Sequence, residues 1–299
     1  MATTAIPKMT IHSQRAIFAR RGGRGLLYLT VVVLAIIFMF PYFWTISSSL
    51  KATDELYVYP PKLIPDVPLP GNYPHVFELF EGNFAHWLWN TVVVTFFSVI
   101  GLVASSTVVA YSFARLRWPG RDFIFLLTLG TLMLPGEVTI IPQFLLFRHL
   151  NWLDTFKPLL VPVYFGGAFD IFLLRQFVQT IPKELDEAAF IDGANRVKIL
   201  TTIIIPLMKP AIATVAVIHI VWRWSEFFGP LIYINTSEKQ LLAVGLRFFE
   251  EWGSTVGQGI PQDNYLMAAC VMSSAPILVL FFFTQRYFVQ GIVMSGLKG

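Results

Sequence analysis

Charge is scarce in this chain. Only 13% of its 299 residues are Asp, Glu, Lys or Arg, about half the share of an ordinary soluble domain. Cysteine is scarcer still. Cys270 stands alone in an apolar run, which excludes an intrachain disulfide and argues against a metal site built on cysteine. The phosphate-cradling string GxxxxGK[ST] is missing, and so are HExxH, GxSxG and CxxC. The histidines His12, His75, His86, His149 and His219 are scattered without metal-ligand spacing. His219, inside an apolar run, reads as an interior packing or hydrogen-bonding residue. An independent enzyme fits poorly, and energy for any work must come from another chain.

Apolar surface, by contrast, is plentiful. Hydrophobic residues make up 55% of the chain, with 28 Phe and 8 Trp, and the mean hydropathy is +0.63. Six apolar runs stand out, at about 25–50, 87–114, 123–147, 158–178, 211–235 and 265–285. Each reaches or nearly reaches the ~20 residues that cross a ~30 Å hydrocarbon core as a helix. They are continuous rather than alternating, which selects helices over a barrel. The expectation is an all-α membrane protein with an N-terminal tail at 1–24, a six-span domain at 25–290 and a C-terminal tail at 291–299. The first run exceeds the ~7–15 residues of a signal-peptide core and no small-residue cleavage site follows, so it is expected to be retained.

Basic residues set the orientation. Lys8, Arg15, Arg20, Arg21, Arg24, Arg115, Arg117, Arg121, Arg175, Lys183, Arg196, Lys198, Lys209, Arg286 and Lys298 fall in one set of loops and tails. Lys51, Lys62, Arg148, Lys157, Lys239 and Arg247 fall in the other, a bias of fifteen to six. The positive-inside rule then puts both termini in the cytoplasm. It also accounts for the pI of about 9.2 without a nucleic-acid partner.

One cytoplasmic connection breaks the scarcity of charge. Residues 184–195 read ELDEAAFIDGAN, with Glu184, Asp186, Glu187 and Asp192 close together. Pro182 suits a helix start, and acids in the first turns suit the helix dipole. Gly193 supplies a stop or a close backbone approach. Ala189 and Gly193, four apart, leave one face nearly bare. The pattern predicts a short helix, a turn, and a second helix lying near the membrane surface toward Pro206, within a connection spanning 181–209. Such a connection is longer than helix–helix links usually are, as functional loops tend to be.

Glu187-Ala188-Ala189, three residues, Gly193, nine residues, Ile203, one residue, then Ile205-Pro206 resembles the EAA signature of bacterial ABC importer permeases. Ile-Pro stands where the family usually has Leu-Pro. FPYFWTISSSLK (40–51), AYSFARLRWPGRDFIF (110–125), MLPGEVTIIPQF (133–144), FLLRQF (172–177), WRWSEFFGPLIY (222–233) and QRYFVQGIVMSGLKG (285–299) resemble the second membrane subunit of carbohydrate importers of the maltose type. The resemblance implies the type I permease fold, located in a bacterial inner membrane. It also implies a heterodimer with a homologous permease, two copies of an ATP-binding subunit and an extracytoplasmic solute-binding protein. No cofactor is expected in this chain, since ATP and Mg would be held by the ATPase. By this resemblance 184–195 is a coupling helix. Its docking residues are Glu184, Glu187, Ala188, Ala189, Asp192, Gly193 and Ala194, and the tail 296–299 reaches toward the same partner.

Ionisable groups inside apolar runs are costly and default to function. Arg223 and Glu226, three apart, either pair with each other or line a polar pathway with Trp224, whose ring could stack on a sugar. Asp170, after Gly166-Gly167, could meet substrate, pair with Arg175 or face a partner. Glu137, in the LPGEV break, reads as structural. The expected cargo is a sugar or oligosaccharide, with glycerol 3-phosphate or a related phosphodiester as the alternative. An ion-driven secondary transporter and a membrane scaffold are the rivals, and no internal repeat supports the former.

Overall fold

The computed structural model describes residues 11–255 and 262–296, and within them the chain is helical with no strand. The tail 297–299 and the side chain of Glu137 lie outside the described set. Helix α1 (Ile11–Ser49) begins inside the segment expected to be a tail, because no proline interrupts the backbone ladder between Lys8 and Phe40. Helix α2 (Asn83–Arg115) follows a reversal in which Phe80, Glu81 and Gly82 all take positive φ. Trp118-Pro119-Gly120 ends that course, and Gly120 at φ +82° turns the chain into α3 (Arg121–Gly130).

The expected third span is broken. Arg121–Met133 and Val138–His149 meet at a 103° bend. Pro135 lacks the N–H that would continue the ladder, and α4 (Gly136–His149) starts afresh beyond it. The expected fourth span is likewise interrupted. Two short turns lead to Gly166 at φ +88°, and α5 (Ala168–Thr180) begins after Gly167.

Helix α6 (Glu184–Ile191) is the short surface helix. The second helix does not lie apart from the spans. Arg196–Trp224 runs continuously as α7, so the fifth span starts well before 211 and ends before 235. A π-helical turn at Leu200–Ile204 precedes Pro206 and re-spaces the carbonyl that this proline cannot bond, while Pro210 lies inside the α-helical stretch that follows. A break at Ser225 separates α8 (Phe228–Tyr233). Helix α9 (Leu242–Thr255) and α10 (Asp263–Gly296) complete the order.

Helix α2 is the centre of the bundle. At its C-terminal end Ala110 and Tyr111 pack with Leu174, Val178, Ile199, Ile204 and Met208. At its N-terminal end Phe84 and Trp87 pack with Leu242, Phe249 and Ala268. Helix α1 packs on α10, and its apolar stretch is otherwise uncovered.

A latch closes the end of the bundle near Trp87. The Asp154 carboxylate accepts from the backbone of Asn235 and Thr236 at 3.1 and 2.9 Å, from Thr236 Oγ1 at 2.7 Å and from Lys239 Nζ at 2.8 Å. The Lys239 ammonium, then the Thr236 donors, hold this carboxyl well below the usual carboxylate range. A depressed folded value means the stabilisation is present above the ordinary pKa and is lost as pH falls through the folded one. The melting-temperature gap between the native chain and Asp154→Asn in detergent should therefore stay constant from neutral pH down to about 5. It should narrow below about 4.

Candidate functional site

The α6 corner is built by three local devices. Ile181 leaves α5 in extended conformation, and Pro182 keeps the helix from running on. Acids at 184, 186 and 187 occupy the first turns of α6, where the helix dipole favours them. At the other end Gly193 sits at φ +78°. Its N–H donates to Phe190 O at 3.0 Å and the Ala194 N–H to Ala189 O at 2.9 Å, the paired bonds of a Schellman stop. Asn195 then caps the next helix by accepting from the Lys198 N–H at 2.8 Å.

Nothing lies within 4 Å of where a Gly193 side chain would start, so the glycine is needed for its backbone alone. Gly193→Asn, which tolerates this region, is expected to keep the helix end. Gly193→Val is expected to cost ~1–2 kcal/mol locally. Amide hydrogen exchange over 188–195 distinguishes them.

Helix α6 has two unlike faces. Asp186 and Ala189 are buried, whereas Glu184, Leu185, Glu187, Ala188, Phe190, Ile191, Asp192 and Gly193 are exposed and Ala194 is half-buried. The expected bare outward face is therefore corrected at Ala189. Its small side chain is buried in the chain's own apolar cluster, which also holds Tyr111 and Ile199. The exposed face instead combines acids with large apolar groups, Ile191 being 88% exposed.

Asp186 carries more than a helix start. Its Oδ2 lies 2.9 Å from Arg115 Nε, and Arg115 Nη2 donates to Ile181 O at 2.6 Å. The Arg115 and Asp186 side chains are only 3% and 11% exposed. Burial pushes the Asp186 carboxyl upward, with Arg115 and then Arg196 pulling it back. No local pattern marks this pair, because its members belong to different helices.

The pathway candidates do not form one cluster. Asp170 is 4% exposed and folds back on Gly167, where an added Cβ would lie 2.3 Å from its Oδ2. Of the three readings left open for it, contact with substrate and contact with a partner both require exposure that this buried carboxyl does not have within the chain. It also makes no ion pair with Arg175 among the described residues; that guanidinium lies over the Phe125 ring at 4.0 Å. Arg223 and Glu226 do pair, but across the end of α7 rather than along one helix. Trp224 is turned inward: its Nε1 donates to Ser273 O at 2.9 Å. The same residue borders a cavity of about 410 Å³ with Ser225, Leu242, Leu246, Ser273 and Ile277. Its neighbour Trp222, which the sequence reading did not single out, is 59% exposed. His219 is buried with neither ring nitrogen hydrogen-bonded among the described residues.

Residues 106–294 match the family of binding-protein-dependent transport system inner membrane components. The chain belongs to this family. The permease is 32% identical over 278 residues to the sn-glycerol-3-phosphate transport system permease protein UgpE of Brucella abortus (strain 2308), covering 91% of this chain and 95% of that one. The UgpE protein of Yersinia enterocolitica is 32% identical over 282 residues, covering 92% and 98%. Among solved structures the permease resembles a chain of a bacterial ABC transporter involved in the import of the acidic polysaccharide alginate. That match has a TM-score of 0.76 and 25% identity, covering 95% of this chain and 100% of the other. A second match is to a bacterial alginate ABC transporter in complex with alginate pentasaccharide-bound periplasmic protein. Its TM-score is 0.61 at 16% identity, over 89% and 94%, and it supports the fold alone. The type I ABC importer permease fold expected from the sequence is thereby established, as is a multi-pass inner-membrane subunit.

Proposed function

We propose that this permease imports a sugar or oligosaccharide as one half of a heterodimer, driven by two copies of a cytoplasmic ATPase that docks on α6. The observation that carries this is the outward face of α6. Glu184, Glu187, Asp192 and the apolar Ile191 are exposed on a helix that lies in the connection between two candidate spans. Lone acids are ordinary there; an exposed isoleucine beside them suits a partner's groove with an apolar floor and a basic rim. Both termini share the cytoplasmic side with α6, following the basic-loop bias.

In the mechanism, a loaded solute-binding protein docks outside while ATP and Mg bind in the partner chains. Closure of the ATPases moves α6, and the bundle alternates between inward- and outward-facing states as a rigid body. This chain's contribution is mechanical and selective rather than catalytic. Arg223, Glu226, Trp222 and the Trp224 cavity are its proposed pathway groups, aromatic faces for sugar rings beside polar groups for hydroxyls.

The glycerol 3-phosphate reading is kept because the curated relatives carry that name. Titrating the cognate solute-binding protein with oligosaccharides and with glycerol 3-phosphate decides between them. Selective binding of the phosphate ester would replace the carbohydrate reading. Purification without an ATP-binding subunit would remove the importer mechanism altogether.

A further inference from the structure

The docking face explains how a partner could hold α6, but not how a displacement of α6 reaches the spans. Among the described residues a buried polar connection lies between them. Arg115 is the last residue of α2, and it meets the α5–α6 corner at two points on either side of the turn. Nη2 donates to the carbonyl of Ile181, where α5 ends, at 2.6 Å. Nε sits 2.9 Å from Asp186 Oδ2, one turn into α6. One guanidinium thus grips the end of one helix and the start of the next.

Burial of both side chains makes this more than a surface ion pair. An exposed pair is screened and contributes little. Here, removing either partner would leave an uncompensated charge out of water. Position adds to the argument. Ala189, one turn beyond Asp186, is buried in the same apolar cluster as Ala110 and Tyr111 of α2, so the ion pair sits beside a core to which both helices contribute.

The pair is also incompletely bonded. Arg115 Nε and Nη1 and Asp186 Oδ1 complete no hydrogen bond among the described residues. A contact optimised only for stability would use those groups. Held by charge and proximity rather than by aligned hydrogen bonds, the pair fixes the separation of the two groups more than their mutual angle. A joint needs that property and a static brace does not.

We propose that Arg115 and Asp186 are positioning residues that form the joint transmitting motion of α6 into α2, the central helix of the permease. This rests on the docking reading of α6, in which Glu187 and Ile191 face the ATPase while Asp186 faces the permease itself. Docking and transmission then reside on opposite faces of one short helix and can be separated by mutation.

The test uses the complete importer in proteoliposomes, with transport and ATP hydrolysis measured together. Asp186→Asn should retain the co-purifying ATPase and its hydrolysis while transport per ATP falls at least fivefold. Unchanged transport per ATP would overturn the joint. Loss of the ATPase from Asp186→Asn would also overturn it, placing Asp186 in the docking surface instead. Failure of the docking reading is seen separately, as normal ATPase retention in Ile191→Asp.

If Asp186→Asn does not accumulate, Arg115→Lys keeps a cation but cannot reach both Ile181 O and Asp186. Spin labels at the exposed positions 117 and 183, just past the end of α2 and just before the start of α6, on a Cys270→Ser background, should then report a broadened distance distribution. An unchanged distribution would sink the proposal.

Discussion

Ile191→Asp and Glu187→Lys are expected to abolish solute uptake while leaving the permease folded in the membrane. Ile191 is 88% exposed on a helix outside the spans, so its substitution removes nothing that this chain's own core uses. Burying such a side chain against a partner contributes roughly 1.5–3 kcal/mol. At ~1.4 kcal/mol per tenfold, its loss weakens ATPase docking by about ten- to a hundredfold, before the new charge is desolvated. Glu187→Lys reverses the charge offered to the partner and adds repulsion. The readouts are ATPase co-purification and uptake in proteoliposomes, with the melting temperature of the permease as the folding control. Retention of the ATPase by both variants would remove α6 as the docking element. A collapse in melting temperature would mean that Ile191 supports the fold, contrary to its exposure.

The largest stability effect is expected at the other end of α2. A Cβ added at Gly245 would lie 2.2 Å from Trp87 Cε3, and Trp87 is fully buried. The indole has no way to yield. Its Nε1 donates to Ser237 O at 2.7 Å, and Phe80, Phe248 and Phe249 surround the ring at centroid distances of 5.8, 5.5 and 6.3 Å. Gly245→Ala therefore forces either α9 or the indole to move. Overpacking of this kind costs about 1–3 kcal/mol, and the surrounding ring cluster argues for the upper end. The substitution should lower the melting temperature in detergent. Adding Trp87→Phe should recover part of the loss, because the two sites share one contact and cannot be additive. Full additivity would show that the clash is relieved elsewhere.

Much of this was legible before any coordinates. Continuous apolar runs can bury backbone polar groups in lipid only as helices, so the class followed from hydropathy. Glu187-Ala188-Ala189 with Gly193 marked the family signature, and residues 106–294 do match that family. The helix end at Gly193 could also be read in advance, since positive φ is a property of a single residue.

The misreadings arose where a distant helix decided the outcome. Span limits at Pro135, Gly166 and Pro206 depended on whether the backbone broke, turned or re-spaced its bonds at each position, and a proline or glycine in the sequence permits any of these. Ala189 was assigned outward because small residues suit any close approach, and a sequence does not say which neighbour approaches. Asp170 looked available, but its place between Gly167 and α2 closes it off. The sequence also did not show that the Trp224 indole donates to Ser273 of α10 while its neighbour Trp222 is exposed.

By itself, then, the sequence determined a helical membrane protein, its family signature and a capped surface helix, because these rest on hydropathy and on bonds between near neighbours. Tertiary structure alone decided which face of that helix is free and that Arg115 holds Asp186. The reason is physical: burial and ion pairing depend on distances between helices, and residues remote in the chain carry no local trace of them.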